Sequence, residues 1–415
     1  MKYKLILLAM LISVMIIISG CGLTPGKSIV GEAKRGFDKS AAVDPNSRLV
    51  QQSTNIAKGC YFDLDCAKGQ VCQGAKNKAN PKYSVKGICV VPQEVPKPEV
   101  CTSIVFIDAN LEWVIKQHLN IPQDHPVCAE KVKNVKKLEL SMLGIGNLQG
   151  LEHFTGLEEL SIDTNKITDI TPLTNMKNLK TLNAGMNQIN SIVPLKSLVQ
   201  LQYLDLTLNQ ITDITPLSEL VEMKVLLLGQ NSVGSIMALQ NLDKLTSLNL
   251  AYNQVIEISV LNEKVNLQEL HLGYNKITNI DHLSGLKALH WLFLSQNQIK
   301  NINSLKGLTK MDTLFLENNQ ISDITPLTLL TNLKVLYLGK NMVSIVTPLK
   351  DATQIEILGL NNNQIKDISP LHGLLMVQQF SIGNNQLQYT SDMCSYVNVL
   401  KSKGAIIDGF DFKKC

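Results

Sequence analysis

The stretch LQYLDLTLNQI, residues 201–211, decides the fold because versions of it recur every 22 residues along the chain. In each version an asparagine follows the apolar run, and an aliphatic residue comes two positions later. A fixed period of this length indicates a repeat array, in which one structural unit stacks on the next. The asparagines that share the spacing are Asn165, Asn187, Asn209, Asn231, Asn253, Asn275, Asn297, Asn319, Asn341, Asn363 and Asn385.

The apolar residues of a single turn are too widely spread for one face of a helix, so a closed coil must surround them. Leu336 and Leu338 are two residues apart, which places them on the same face of a short strand. By the same alternation, Thr313 and Phe315 face outward in the preceding turn. The turn after Asn319 shows the spread, with inward positions at Ile321, Ile324, Leu327, Leu330, Leu333, Leu336 and Leu338.

The pattern L-x-x-L-x-L-x-x-N-x-I resembles the leucine-rich repeat. We therefore expect an α/β-type solenoid, a horseshoe of about twelve repeats over residues 137–388 with parallel strands on its concave face. Each asparagine amide can satisfy backbone groups that would otherwise be buried unpaired, which indicates a structural role. Prolines in the return segments, often within D-I-T-P-L, favour 3₁₀ or extended convex segments over full helices.

Lys264 occupies a position where other turns have Leu or Met. Two arrangements are open. Either that turn is offset and Val265 faces inward, or the lysine stem snorkels outward. Both predict a local irregularity at this turn.

Residues 101–136 and 389–415 are predicted caps, because a solenoid exposes its core at both ends unless something covers it. Asp108 can N-cap a front helix, and Ser391 can cap a back helix that stops at Gly404. Both caps contain a pair of cysteines, so we expect one crosslink in each. The pairs are Cys101 with Cys128 and Cys394 with Cys415.

Residues 1–20 read as a targeting segment, with Lys2 and Lys4 before an apolar run over 5–18. The sequence Ile18-Ser-Gly-Cys21 resembles a bacterial lipobox, which implies cleavage before Cys21 and acylation of that residue. An ordinary signal peptide or an uncleaved anchor helix are the alternatives. Gly22 stands where an inner-membrane retention signal would have Asp, so we expect a lipid-anchored envelope protein on the outer membrane.

Residues 21–59 are predicted to form a flexible tether, and residues 92–100 are predicted to form a proline-rich linker. Between them, residues 60–91 are too few for a core of their own, so two disulfides would have to hold them. This run resembles the small four-cysteine modules of the amino-terminal Dickkopf type. A zinc site is the alternative interpretation, but the spacings between these cysteines do not match the C-x-x-C motif. The cysteines are Cys60, Cys66, Cys72 and Cys89.

The segment IDANLEWVIKQHLN, residues 107–120, precedes Leu-Gly-Ile at 143–145 and repeats of the form N-x-I-x-D-I-x-P-L. Together these features resemble the internalins, bacterial leucine-rich surface proteins whose cap helix runs straight into the array. The resemblance implies recognition of a protein ligand on the concave face.

Outward strand positions lie two, four and six residues before each repeat asparagine. They are mostly small or polar in the early turns and aromatic in four later ones. Exposed aromatic residues are typical of binding hot spots, so we expect a macromolecular partner here, most of all a protein. The residues are His271, Trp291, Phe293, Phe315, Glu317 and Tyr337, with Tyr252 and Tyr274 at the adjoining edge.

Three other interpretations of the aromatic residues stay open. They could pack across strands and only stabilise the sheet. They could bind a glycan such as cell-wall polysaccharide, because sugar rings also stack on aromatic faces. The array could also be a passive envelope scaffold or spacer.

Composition and motifs argue against other classes of protein. The net charge is +4 and no long Lys or Arg run is present, so neither nucleic acid nor an anionic membrane surface is an expected partner. The chain has no G-x-S-x-G, H-E-x-x-H or phosphate-binding glycine loop. We expect a monomeric binding protein that is not an enzyme and needs no cofactor or metal.

Overall fold

The computed structural model describes residues 101–415, together with the backbone of two short strands, β1 (Val71–Gln73) and β2 (Ile88–Val90). These two strands pair antiparallel, with Cys72 opposite Cys89. The predictions for Cys21, for the disulfides among Cys60, Cys66, Cys72 and Cys89, and for the signal segment, tether and linker lie outside what the structure describes. The repeats belong to a separate compact unit, Pro98–Cys415.

The repeats, together with one strand of the back cap, build an open parallel sheet of thirteen strands within residues 101–415. Neighbouring strands pair equal repeat positions, so Leu292 lies between Leu270 and Leu314. This confirms the predicted solenoid. The strands are β3 (Lys137–Glu139), β4 (Glu159–Ser161), β5 (Thr181–Asn183), β6 (Tyr203–Asp205), β7 (Val225–Leu227), β8 (Ser247–Asn249), β9 (Glu269–His271), β10 (Trp291–Phe293), β11 (Thr313–Phe315), β12 (Val335–Tyr337), β13 (Ile357–Gly359), β14 (Gln379–Ser381) and β15 (Ile406–Asp408).

A 3₁₀ segment follows each of the strands β3 to β13 and forms the opposite side of the coil, as the prolines predict. The leucines and isoleucines between the two sides are almost completely buried, and each contributes about 1.5–3 kcal/mol to folding. The segments are Leu151–His153, Thr171–Leu173, Val193–Ser197, Thr215–Leu217, Met237–Leu239, Ser259–Glu263, Asp281–Leu283, Asn303–Leu305, Thr325–Leu329, Thr347–Leu349 and Ser369–Leu371.

Each repeat asparagine joins its own turn to the one before it. Asn275 Nδ2 donates to the carbonyl oxygens of Leu272 at 3.1 Å and of Leu250, one turn earlier, at 2.9 Å. Its Oδ1 accepts from the backbone N–H of Val255, also one turn earlier, at 2.9 Å. One buried amide therefore satisfies backbone groups in two consecutive turns, which is the role that the sequence predicts for it.

The residue before each repeat asparagine has a φ angle between 54° and 61°. This is the left-handed region, which costs an ordinary side chain about 1–2 kcal/mol and favours Gly and Asn. Leu208 and Tyr252 nevertheless adopt it. The bend directs the asparagine side chain into the coil, so the amide hydrogen bonds offset the backbone strain.

We predict that Asn275→Ala lowers the free energy of unfolding by about 3 kcal/mol, because several buried backbone groups lose their partners at once. Urea unfolding followed by circular dichroism measures the change. Asn262→Ala, at an exposed asparagine of the 3₁₀ side, is the matched control and should leave the midpoint unchanged. Equal midpoints for the two variants would contradict the structural role.

Lys264 is completely buried at its core position, whereas Val265 is 55% exposed. The arrangement with Val265 facing inward is therefore wrong. The lysine Nζ bonds to the carbonyl oxygen of Gln240 and to Asp243 Oδ1 at 2.6 Å, both in the preceding turn. The stem thus packs in the core while the ammonium group reaches an exposed carboxylate, and the strand register continues unbroken through this turn.

The front cap consists of α1 (Ala109–His118), α2 (Ala129–Val132) and the disulfide between Cys101 and Cys128. Asp108 caps α1 through Oδ1, which accepts from the N–H of Leu111 at 3.2 Å. Its Oδ2 accepts from Gly146 N–H at 2.7 Å and so ties the cap to the first repeat. Burial alone would raise the pKa of Asp108, but the backbone donors outweigh it and the pKa is lowered.

The back cap consists of α3 (Ser391–Ser402), β15 and the disulfide between Cys394 and Cys415. The N-cap is Thr390, whose hydroxyl accepts from Met393 N–H, so the predicted cap at Ser391 is wrong by one residue. Gly404, at φ 88°, follows the end of α3 as predicted. The sequence does not predict β15, because Ile406–Asp408 lies outside the repeat and covers the edge of β14 without an alternating apolar pattern.

Candidate binding face

The sheet face, defined as the side chains two, four and six residues before each repeat asparagine together with the equivalent Lys137, Glu139 and Ser141 of β3, points away from the core. On β10 the central Leu292 is buried, while Trp291 and Phe293 on either side of it are partly exposed. Phe315 and Tyr337 have the same partial exposure on β11 and β12. The alternation therefore places these aromatic residues on the surface that sequence reasoning assigned to them.

Four rings at equivalent positions of β9 to β12 form a continuous stack, here called the aromatic ladder: His271, Phe293, Phe315 and Tyr337. Their centroids are 4.1, 4.7 and 4.7 Å apart in chain order. The interplanar angles are 13°, 24° and 26°. Parallel pairing brings equal positions to about 4.8 Å, which is a favourable spacing for stacked rings. Both faces of Phe293 and Phe315 are therefore covered by neighbouring rings, and the edges of these rings border the solvent.

Both ends of the ladder are defined by neighbouring residues. Tyr337 lies over Gly359, where an added Cβ would be 2.6 Å from the ring, so glycine is required for this close approach. At the other end, His271 Nε2 is 2.6 Å from Glu269 Oε1, and Ser247 Oγ donates to Glu269 Oε2 at 3.1 Å. His271 is only 8% exposed. It therefore supports the ladder more than it offers contact area.

Trp291 and Tyr274 flank the ladder without joining it. Trp291 lies on β10 between Glu269 and Thr313 of the adjacent strands. Tyr274 is 44% exposed and stacks on Tyr252, with a centroid distance of 3.9 Å. The fold thus groups the predicted residues of β9 to β12 and leaves the two tyrosines as a separate pair on the rim.

The sheet face is acidic, within a unit of residues 101–415 that carries 25 Lys against 28 Asp and Glu. Apart from His271, Lys137 is the one basic residue on it, and carboxylates stand at six positions. Sequence reasoning did not use this acidity, although the outward positions themselves show it. The carboxylates are Glu139, Glu159, Asp163, Asp205, Glu269 and Glu317.

Two carboxylates beside the ladder have opposite pKa shifts. The hydrogen bond with His271 holds the pKa of Glu269 below its ordinary value. Burial raises the pKa of Glu317, although the charge of Lys340 partly opposes this. Burial and the nearby Glu317 also raise the pKa of Tyr337. Glu317 is therefore a partly desolvated carboxylate next to the last ring of the ladder.

Two kinds of feature are absent from the described residues. Within 101–415 no grouping of His, Cys, Asp and Glu is suited to hold a metal ion. None of the helices described is long and apolar enough to span a bilayer.

Comparison with known proteins identifies the family. The model for "Leucine Rich repeats (2 copies)" matches residues 177–219, 309–351 and 331–373, and that for "Leucine rich repeat" matches 265–321. The crystal structure of an internalin (inlF) from Listeria monocytogenes is 31% identical, with a TM-score of 0.69. The match covers 74% of this chain and 92% of that one. The chain belongs to the internalin-like leucine-rich-repeat proteins.

More distant structures share the fold of this internalin-like protein. A leucine-rich-repeat protein of Leptospira interrogans is 23% identical with a TM-score of 0.53, covering 62% of this chain and 74% of that one. A plant peptide hormone receptor, RGFR1 in complex with RGF2, is 21% identical with a TM-score of 0.53, covering 63% and 50%. No curated protein matches the chain in sequence.

We predict that Glu317→Gln stabilises the internalin-like protein at pH 7. The folded-state pKa of Glu317 is raised, so folding favours the protonated carboxyl. Its favourable contribution is present below the unfolded pKa and is lost as the pH rises through the folded value. At pH 7 the neutral amide should therefore unfold at a higher urea concentration than the carboxylate.

The stability advantage of Glu317→Gln should shrink as the pH falls from the raised folded-state pKa to the ordinary glutamate value of 4.5. Urea midpoints at pH 7 and pH 4 measure it. Glu263→Gln, at an exposed glutamate, provides the control and should shift neither midpoint. A Glu317→Gln protein that is less stable than the parent at pH 7 would show that the carboxylate makes a stabilising contact.

Proposed function

We propose that the protein binds another protein through the aromatic ladder and Trp291. The observation that carries this proposal is a row of partly exposed ring edges on a rigid sheet. Leucine-rich-repeat proteins typically bind protein ligands, and the fold is typically non-enzymatic. The plant receptor of the same fold, in complex with RGF2, supports a macromolecular partner of this kind.

The stacking geometry favours a protein over a glycan. A sugar ring binds an aromatic residue by lying against its face, whereas the faces of Phe293 and Phe315 are covered by neighbouring rings. Ring edges carry the positive end of the quadrupole and fit carbonyl oxygens and apolar side chains. These are the groups that a polypeptide offers along its whole length.

Cross-strand packing does not compete with this proposal. The rings stabilise the sheet by stacking, and the same rings leave apolar edges at the surface. A passive spacer needs no aromatic residues on this face, and Asn183 and Asn249 show that polar residues fit at the ladder position. The concentration of rings on four adjacent strands therefore favours binding.

The variant in which Trp291, Phe293, Phe315 and Tyr337 are all replaced by alanine is here called the ladder variant. We predict that it no longer captures the partner, because the hot-spot rings are removed together. The full-length protein in mild detergent serves as bait for envelope extracts and whole cells. The matched control replaces Val193, Met237 and Leu329, exposed apolar residues of the 3₁₀ side, by alanine. Circular dichroism verifies that both variants fold. Equal capture of the partner by the parent and the ladder variant would favour the interpretation that the array is a passive spacer.

We also propose that the protein is held on the outer membrane of a bacterial envelope by lipid on Cys21. The proposal rests on the lipobox-like run that ends at this residue. Several acyl chains anchor a protein far longer than one chain does. In this arrangement the repeats would stand clear of the bilayer.

We predict that Cys21→Ser moves the protein from the membrane pellet to the soluble fraction and removes incorporation of labelled fatty acid. Thr24→Ala, three residues further on, is the control and should leave both unchanged. Fractionation on a sucrose gradient identifies the membrane. Labelling that persists in the Cys21→Ser protein would rule out lipid at this residue.

A further inference from the structure

The charge on the sheet face differs from that of the whole chain. The six carboxylates of this face meet a single lysine, Lys137, which lies on the first strand and already pairs with Glu139 and Glu159 at 3.0 Å each. The basic excess of the chain comes from residues 1–100, which carry 14 Lys and Arg against 7 Asp and Glu, whereas residues 101–415 carry 25 Lys against 28 Asp and Glu. A partner that docks on this face meets a negative potential, which favours a basic surface.

Two carboxylates stand on opposite sides of the ladder and differ in how they are satisfied. Glu269 accepts one hydrogen bond from Ser247 and pairs with His271. The carboxylate of Glu317 accepts no hydrogen bond and forms no ion pair within residues 101–415, although the charge of Lys340 acts on it, and it lies beside Tyr337, whose pKa it raises. A desolvated carboxylate without a partner is unfavourable in the free protein. A cationic group from outside would remove this penalty.

A second unsatisfied polar group lies one turn earlier. Ser295 occupies the repeat position equivalent to Glu317, and its buried Oγ has no hydrogen-bond partner in the described structure. Unpaired buried hydroxyls are uncommon in folded proteins. Ser295 and Glu317 therefore form a short polar row next to the rings of Phe293 and Phe315.

The ladder itself is not a site for a cation. Cations bind to the faces of aromatic rings, and here both faces of Phe293 and Phe315 are stacked on neighbouring rings, while the outer face of Tyr337 lies over Gly359. The exposed edges carry partial positive charge and repel an ammonium or guanidinium group. The aliphatic stem of such a side chain can still pack against ring edges. The carboxylate of Glu317 is then the group that holds its charge.

We propose that Glu317 binds a lysine or arginine side chain of the protein partner, whose stem packs against the edges of Phe315 and Tyr337. This inference rests on the function proposed above and names the chemistry of that partner, a basic side chain within an apolar segment. An arginine guanidinium can donate two hydrogen bonds to the carboxylate, which adds geometric selectivity.

A random dodecapeptide display library, panned on the full-length protein, tests this inference. We expect the selected peptides to be rich in Lys or Arg next to apolar residues. Glu317→Gln should weaken their binding about tenfold, and added salt should weaken binding to the parent. Replacing the basic residue of a selected peptide by Gln should cause the same loss in the parent and little further loss in Glu317→Gln.

The controls separate this inference from the proposed function. Glu263→Gln should bind the selected peptides as the parent does. Glu317→Gln is expected to be more stable than the parent at pH 7, so weaker binding would not come from unfolding. Peptides without basic enrichment, peptides that bind Glu317→Gln as tightly as the parent, or a library that yields no peptide above background would overturn the basic-partner inference. Self-association of the protein that Glu317→Gln abolishes would make a second copy the occupant and overturn it as well.

The proposed function fails by a different result. If the ladder variant binds the selected peptides as tightly as the parent, the aromatic face is not the site. If the ladder variant loses binding of the peptides while Glu317→Gln retains it, the proposed function is supported and the proposed role of Glu317 is contradicted.

Discussion

The amide of the repeat asparagine is the interaction on which the rest of the structure depends. Each one binds carbonyl oxygens of two consecutive turns and a backbone N–H of the earlier turn, as Asn275 does with Leu250, Leu272 and Val255. It therefore sets where the chain leaves the strand and aligns that point with the previous turn. The residue before it must enter the left-handed region for the amide to face inward. Because the bond repeats every 22 residues, it keeps the strands in one register along the array.

That register explains why the candidate site is a stack of rings. Equal positions of neighbouring repeats are brought side by side at the strand spacing, so an aromatic residue at one position in successive repeats must stack on the next. The result is rigid, because each ring has little freedom between its neighbours. Neighbouring residues define the two ends of the stack: Glu269 pairs with His271, and Gly359 leaves room for the ring of Tyr337. Stability and recognition are thus two consequences of the same geometry, and the surface offered to a partner consists of ring edges.

The sequence predicts the parts of this structure that repeat. The period, the inward leucines, the outward aromatic positions and the role of the asparagines follow from spacing alone. The parts it does not predict depend on contacts between particular residues. Spacing could not decide whether Lys264 or Val265 faces the core, because the answer rests on Gln240 and Asp243 one turn earlier. Nor could it reveal β15, which joins the sheet only because α3 returns the chain to the edge of β14. Spacing also does not predict that His271 is buried, because its burial follows from stacking against Phe293.

The acidity of the sheet face is easiest to understand from the way a solenoid distributes its stability. Each turn contributes mainly through its own core and its two neighbours, so a local penalty stays local. An unpaired carboxylate at Glu317 and an unpaired hydroxyl at Ser295 can therefore be tolerated within an array of twelve repeat strands. A leucine at either position would extend the apolar surface and broaden the range of partners. Unsatisfied polar groups beside apolar ring edges instead favour a partner with matching donors, because only such a partner removes the desolvation penalty.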